Sequence, residues 1–236
     1  MSRATDESRA TDESPTADES PTADKGRTAD VTGTTEVNRT SVGGRGGEPV
    51  IVIVPGLRDH VEEHWQTLLA ARLSEAGRAV RTVPPLTQDR LSRASQVAAL
   101  DQVISAVAGP LVLVAHSAGV ITTVHWARRH RAQVLGALLV TPPDFETPLP
   151  DGYPTPEVLA ENGWTPVPRS PLPFPTIVAA SSNDPLGALD RVTELARNWA
   201  GRLVELGAVG HLNPASGHGP WPNAEELLGE LEQSRN

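Results

Sequence analysis

The sequence predicts an α/β fold, with a six-stranded, mostly parallel sheet and helices on both faces. Three observations predict it. Six short runs of aliphatic, largely β-branched residues are spread through the second part of the chain. Most are separated by stretches with apolar residues every three or four positions, the mark of amphipathic helices. Several runs are continuously apolar rather than alternating, as expected of strands buried on both faces. Strands that alternate with helices build a parallel sheet between two helical layers.

The elements follow in order. Val50–Val54 reads VIVIV and ends at Pro55-Gly56, so it is the first strand. Val61, Trp65, Leu68, Leu69, Leu73 and Ala76 predict a first helix, stopped by Gly77. Ala79–Val83 is a second strand, closed by Pro84-Pro85. Val97, Leu100, Ile104 and Val107 mark a second helix, ended by Gly109-Pro110. Leu111–Ala115 is a third buried strand, and a third helix carries Val120, Ile121, Val124 and Ala127. Leu135–Val140 and Thr176–Ala180 are the fourth and fifth strands. The proline-rich stretch between them, Thr141–Pro175, is expected to lie mostly irregular over one end of the sheet. Leu189, Val192, Leu195, Ala196 and Trp199 give a further helix, and Arg202–Leu206 a sixth strand. Ala224, Leu227, Leu228 and Leu231 give the last helix, with Asn223 and Glu226 spaced as a capping box.

The chain divides at about residue 48. Residues 1–48 hold no aromatic and repeat a small acidic hexapeptide: RATDES twice, then PTADES and PTADKG. Such a unit has no apolar face to bury, so a disordered low-complexity tail is expected there, and a globular domain over 49–236. Formal charge is −9 over the 236 residues, and −5 falls on the domain. That sign excludes a general nucleic-acid binder. With no cysteine, disulfides, thiolate metal sites and cysteine nucleophiles are excluded. No apolar run reaches membrane-span length and no signal-peptide pattern opens the chain, so a cytoplasmic protein with no membrane association is expected. Neither a G-x-G-x-x-G turn after the first strand nor a G-x-x-x-x-G-K-[ST] loop is present, which argues against phosphate cradling.

The chemistry centres on Ala115-His116-Ser117-Ala118-Gly119. It lies between a buried strand and an amphipathic helix, the context of the G-x-S-x-G nucleophile elbow. Ala115 replaces the first glycine and adds one methyl group. The plainer alternative is a serine that merely caps the helix. A nucleophilic serine needs a base, and the base an orienting acid. On this fold both come from loops at the carboxyl ends of later strands. The fifth strand leads to Asp184, with Asp144 after the fourth strand as rival acid. Asp184-Pro185 could equally be the N-cap and first residue of the following helix. The sixth strand leads to Gly210-His211, with His218 as rival base. Backbone N–H groups of Leu57 and Ala118 are the expected oxyanion donors. His64, Trp65 and His116 are candidate pocket residues beside packing roles, and Phe145, Trp164 and Trp221 are open candidates for its wall.

Beyond these residues the chain resembles the small serine hydrolases of the YdeN and retinoblastoma-binding-protein-9 type, a compact branch of the α/β-hydrolase fold. The resemblance spans about residues 49–232. It rests on Val54-Pro55-Gly56, Glu63-His64-Trp65-Gln66, the Ser117 elbow, Val140-Thr141-Pro142-Pro143-Asp144, Ser182-Asn183-Asp184-Pro185, Gly210-His211-Leu212-Asn213 and Ala215–Pro222. It implies a triad of Ser117, Asp184 and His211 and a minimal lid. Asn183 departs from the pattern, since many members carry two adjacent acids there.

A serine hydrolase is therefore expected, cleaving small carboxylic esters, or amides, through an acyl-enzyme with no cofactor and no metal. An aminopeptidase using the same triad and a protein-binding module with little turnover are the alternatives. No apolar stripe assigns an oligomeric state.

Overall fold

The structure is a computed structural model that describes residues 47–58, 61–129 and 132–233. All but Gly47 and Glu48 of the expected tail lies outside the described residues. The strands are β1 (Val50–Val54), β2 (Val80–Thr82), β3 (Leu111–His116), β4 (Val134–Val140), β5 (Thr176–Ala180) and β6 (Arg202–Glu205). The helices are α1 (Trp65–Glu75), α2 (Arg93–Ser105), α3 (Ala118–Ala127), α4 (Pro156–Glu161), α5 (Leu189–Asn198) and α6 (Asn223–Gln233), with a short 3-10 turn at Pro214–Ser216.

The six strands form one sheet in the order β2-β1-β3-β4-β5-β6. Every neighbouring pair is parallel. Strand side chains alternate between two cores. Val50, Val52 and Val54 join Leu111 and Leu113 in a core with residues of α2, α3 and α5. Ile51 and Ile53 join Val112 and Val114 in a core with Trp65, Leu69 and Leu73 of α1 and Leu227, Leu228 and Leu231 of α6. Each fully buried aliphatic side chain contributes about 1.5–3 kcal/mol. This two-sided burial explains why β1 and β3 are continuously apolar. By contrast the short edge strands β2 and β6 hold no fully buried residue.

The strand order reverses at β1. The chain passes from β1 outward to β2, then returns to β3 on the other side of β1. Loops leaving the carboxyl ends of β1 and β3 therefore diverge and leave a crevice, the usual ligand position in open α/β sheets.

Two local expectations are corrected, at the starts of α1 and α6, and the mostly irregular proline-rich stretch gains one short helix. Helix α1 starts at Trp65, and Val61 lies outside it, exposed. The His64 side chain sets that start, because its Nδ1 accepts the Gln66 N–H at 3.2 Å. Asn223 does not cap α6 but is its first residue, and the Ala224 and Glu225 N–H groups donate to the Trp221 and Pro222 carbonyls. The proline-rich stretch holds one helix, α4. Thr155 caps it by accepting the Val158 N–H, and Pro156 occupies its first turn.

Candidate active site

Ser117 sits where β3 turns into α3, at φ 54° and ψ −131°. This backbone is strained for a residue with a Cβ. Its N–H donates to Val140 O at 3.0 Å, which ties the turn to β4. The side chain makes no cap hydrogen bond to α3, so it is not spent on capping. Gly119 lies against β1 so closely that a Cβ there would overlap the Val54 and Pro55 carbonyl oxygens. The glycine two residues after the serine is thus a steric requirement. Ala115, fully buried beside Val54, fits where the usual first glycine is absent.

Ser117 Oγ lies 2.9 Å from His211 Nε2, and His211 Nδ1 lies 2.8 Å from Asp184 Oδ2. An ionised carboxylate only accepts, so Nδ1 carries the proton and donates to Asp184. In the neutral ring Nε2 is then the acceptor, and the Ser117 hydroxyl donates to it. The His211 and Asp184 side chains are only 7% and 2% exposed. The other Asp184 oxygen accepts the Leu186 N–H at 2.9 Å. Asp184 does not cap α5, which begins at Leu189 after Ala188.

The loop after β6 is held from several sides. Gly210 has φ 57°, and a Cβ on it would press to 2.6 Å from Ser216 Cβ. Its N–H donates to Asn183 Oδ1 at 2.7 Å. The Val209 N–H donates to Ser181 Oγ at 3.2 Å. His116 Nε2 lies 2.9 Å from the His211 carbonyl oxygen; that oxygen only accepts, so the ring donates. Positive φ also recurs at Thr141 after β4 and Leu212 after β6. With Ser117, and with Asp89 after β2, that makes four non-glycine residues of positive φ on loops at the carboxyl edge of the sheet among the described residues.

The rival residues are placed elsewhere. Asp144 Oδ2 accepts Arg191 Nε–H at 2.9 Å, and its Oδ1 accepts the Glu146 N–H at 3.1 Å. His218 follows the 3-10 turn, where its backbone N–H donates to Asn213 O.

A cavity of about 550 Å³ opens beside Ser117 and His211. Leu57, Ala118 and His64 border it, as do Phe145, Leu149, Tyr153 and Leu159 from the segment between β4 and β5. Leu57 follows β1, and Ala118 opens α3, where the first N–H groups have no intrahelical acceptor. Of the candidate pocket residues, Trp65 and His116 do not line the cavity, and both take the packing roles that the sequence also offered. Trp65 is buried in the α1–α6 core, edge-on to Trp221 with ring centroids 4.9 Å apart. His116 is fully buried behind the elbow, 4.7 Å from the His64 ring. Of the three open wall candidates, Phe145 lines the cavity, and Trp164 and Trp221 do not. Among the described residues no cluster of three or more His, Cys, Asp or Glu could hold a metal ion. No helix among them is long and apolar enough to cross a membrane.

A family model described as serine hydrolase matches residues 51–230. The chain belongs to the serine hydrolase family. It is accordingly a hydrolase of compact α/β-hydrolase fold. A solved structure described as a YdeN-like hydrolase, from Pectobacterium atrosepticum, is 28% identical with a TM-score of 0.64, covering 78% of this chain and 91% of that one. The ydeN gene product of B. subtilis is 20% identical with a TM-score of 0.63, covering 78% and 98%. A hydrolase of the alpha/beta superfamily from Xanthomonas campestris is 18% identical with a TM-score of 0.54, covering 79% and 99%, and shares the fold. No curated protein sequence matches the chain.

Sequence reasoning missed most of the serine hydrolase's cavity wall, including Arg58, Arg90, Leu149, Tyr153 and Leu159. One signal could have found part of it. Thr155-Pro156 is an N-cap followed by a first-turn proline, a helix start inside the stretch expected to be irregular.

Proposed function

We propose that the protein hydrolyses small carboxylic esters, or amides, with Ser117 as nucleophile, His211 as general base and acid, and Asp184 as the orienting acid. The supporting observation is the continuous hydrogen-bond path from Ser117 Oγ through His211 to Asp184 at the wall of an open cavity. His211 Nε2 takes the hydroxyl proton as Ser117 Oγ attacks the substrate carbonyl carbon. The carbonyl oxygen gains the negative charge and is held by the backbone N–H groups of Leu57 and Ala118. The tetrahedral intermediate collapses. The alcohol or amine leaves with the proton from His211, and the acyl group stays on Ser117. Water then attacks the acyl-enzyme, giving its proton to His211. The carboxylic acid departs and Ser117 Oγ regains its proton.

No step needs a metal or organic cofactor, and a cytoplasmic location suits small soluble substrates. The tail, residues 1–48, contributes no group to these steps, so a 49–236 chain is expected to turn over esters as well as the full chain.

A fluorophosphonate probe should label Ser117 covalently, and Ser117→Ala should abolish both labelling and ester turnover. Folded wild-type protein that resists the probe would overturn this reading. Matched ester and amide substrates with one acyl group decide which bond is preferred.

A further inference from the structure

Two arginines stand at the cavity and take no part in the proposed chemistry. Arg58 follows Leu57 in the loop after β1, and Arg90 lies between β2 and α2. Among the described residues no Asp or Glu lines the cavity, and neither arginine meets a carboxylate. By contrast Arg72, Arg169 and Arg191 are each matched to an acid.

Carbonyl oxygens position both guanidinium groups without neutralising them. Arg58 Nη2–H donates to Gly152 O at 2.6 Å, and its Cζ lies 4.6 Å from the centroid of the Tyr153 ring. Arg90 Nε–H donates to Leu86 O at 2.9 Å. A guanidinium has five N–H donors, so each keeps most of its donors for another acceptor. A second recess of about 240 Å³, formed by Gly56, Pro85, Leu86 and Gln96, shares Leu57, Arg58 and Arg90 with the main cavity. The two cations therefore border both the recess and the cavity that holds the serine. The surrounding domain has a net charge of −5, which disfavours anions over most of its surface.

We infer that Arg58 and Arg90 form an anion-accepting rim, and that the preferred substrates are small esters carrying a second, anionic oxygen group. This rests on the ester-hydrolase reading and specifies its substrate class. A carboxylate or phosphate displaced from the scissile bond would accept from both guanidinium groups, while the apolar wall of Phe145, Leu149 and Leu159 takes the hydrocarbon between. The charge could sit on the acyl part or on the alcohol part.

The test compares kcat/KM for two matched pairs on the full chain. In the acyl arm, the para-nitrophenyl monoester of glutaric acid is set against para-nitrophenyl valerate. In the alcohol arm, para-carboxyphenyl butyrate is set against para-carbamoylphenyl butyrate. In at least one arm the anionic member should be favoured about tenfold. Arg90→Met should cut that ratio several-fold, Arg90→Lys should keep part of it, and Arg90→Glu should reverse it. Added salt should lower the ratio as well. Arg58→Met also frees the Gly152–Tyr153 turn, so Arg90 carries the decision.

A ratio at or below one in both arms, with the neutral esters turned over and the fluorophosphonate label intact, overturns the anion-accepting rim and leaves the hydrolase standing. An Arg90→Met ratio equal to that of wild type also overturns it. Loss of labelling and of turnover on all four esters overturns the hydrolase reading and this inference with it.

Discussion

The loops after β4 and β5 leave the same edge of the sheet, and each carries a buried aspartate. Asp144 is 5% exposed and Asp184 8%. The two loops touch: the Asp144 N–H donates to Leu186 O at 2.8 Å, and the Leu186 N–H donates to Asp184 Oδ1 at 2.9 Å. A Cβ on Gly187 would reach 2.5 Å from Pro142 O, so a glycine is needed where they pass. Their partners nevertheless differ in kind. Asp144 faces Arg191, which with Glu146, Arg169 and Glu194 forms a network bracing the segment over the cavity. Asp184 faces His211. A guanidinium is always charged, so its carboxylate holds a fixed ion pair. An imidazole can take and release a proton, so its carboxylate can orient chemistry. The facing group, more than burial or position on the sheet, is what separates the two aspartates in the proposed mechanism.

Substitutions can break this contrast, and the largest effect is expected at Asp184. Asp184→Asn should lower kcat for esters by about 10³–10⁴, because an amide can face Nδ1 with its NH₂ and favour the wrong tautomer. A loss below tenfold in a folded variant would remove Asp184 from the proposed triad. Asp144→Asn should do the reverse. Thermal or urea unfolding should show a loss of about 2 kcal/mol, since Arg191 and Glu146 lose a charged acceptor. Its kcat should change less than about threefold. A larger fall in kcat than in stability would mean that the two loops are not separable.

Asn183 sharpens the contrast with a smaller effect. Its Oδ1 accepts the Gly210 N–H and the Ser181 hydroxyl, which ties the β5 loop to the loop that carries His211. Asp supplies the same acceptor oxygen, which is a physical reason for either residue at this position. Asn183→Ala should lower kcat about tenfold, while Asn183→Asp should stay within about threefold. Equal losses in the two variants would show that the acceptor is not what matters.

The smallest effect concerns the far end of the segment that Asp144 braces. His125 Nε2 lies 3.1 Å from the Trp164 carbonyl oxygen, to which it donates. Burial holds the His125 pKa below its usual 6.5, although that hydrogen bond opposes the shift. The unfolded chain therefore binds the extra proton first as pH falls. This stabilising contribution is present above the unfolded pKa and is lost as pH drops through the lowered folded value. Melting temperature between pH 7.5 and 5 should fall slightly more in wild type than in His125→Gln, and parallel curves would exclude the effect.

Much of the fold was legible because it depends on local pattern. Continuous apolar runs appear wherever both faces of a strand are covered, as in β1 and β3, and the order of strands and helices selects a parallel sheet. The helix within the proline-rich stretch was missed because six residues give too short a period to read. For Trp65 and His116 the sequence offered both pocket and packing roles, and the structure gives them packing. Spacing assigns a residue to a face, but the cavity is shaped by the segment folded across that face.

The sequence by itself determined the alternation that builds the sheet, the strand-to-helix turn at Ser117, and the absence of any thiol chemistry. It could offer two acids and two histidines, but not choose among them by contact. Only the tertiary structure decided that His211 faces both Ser117, 94 positions earlier, and Asp184, while Arg191 claims Asp144 across 47 positions. It also brought Arg58 and Arg90 to one rim. The physical reason is range. Apolar periodicity and steric demands act between near neighbours in the chain, whereas a side chain's partner is set by which loops the sheet order brings to one edge.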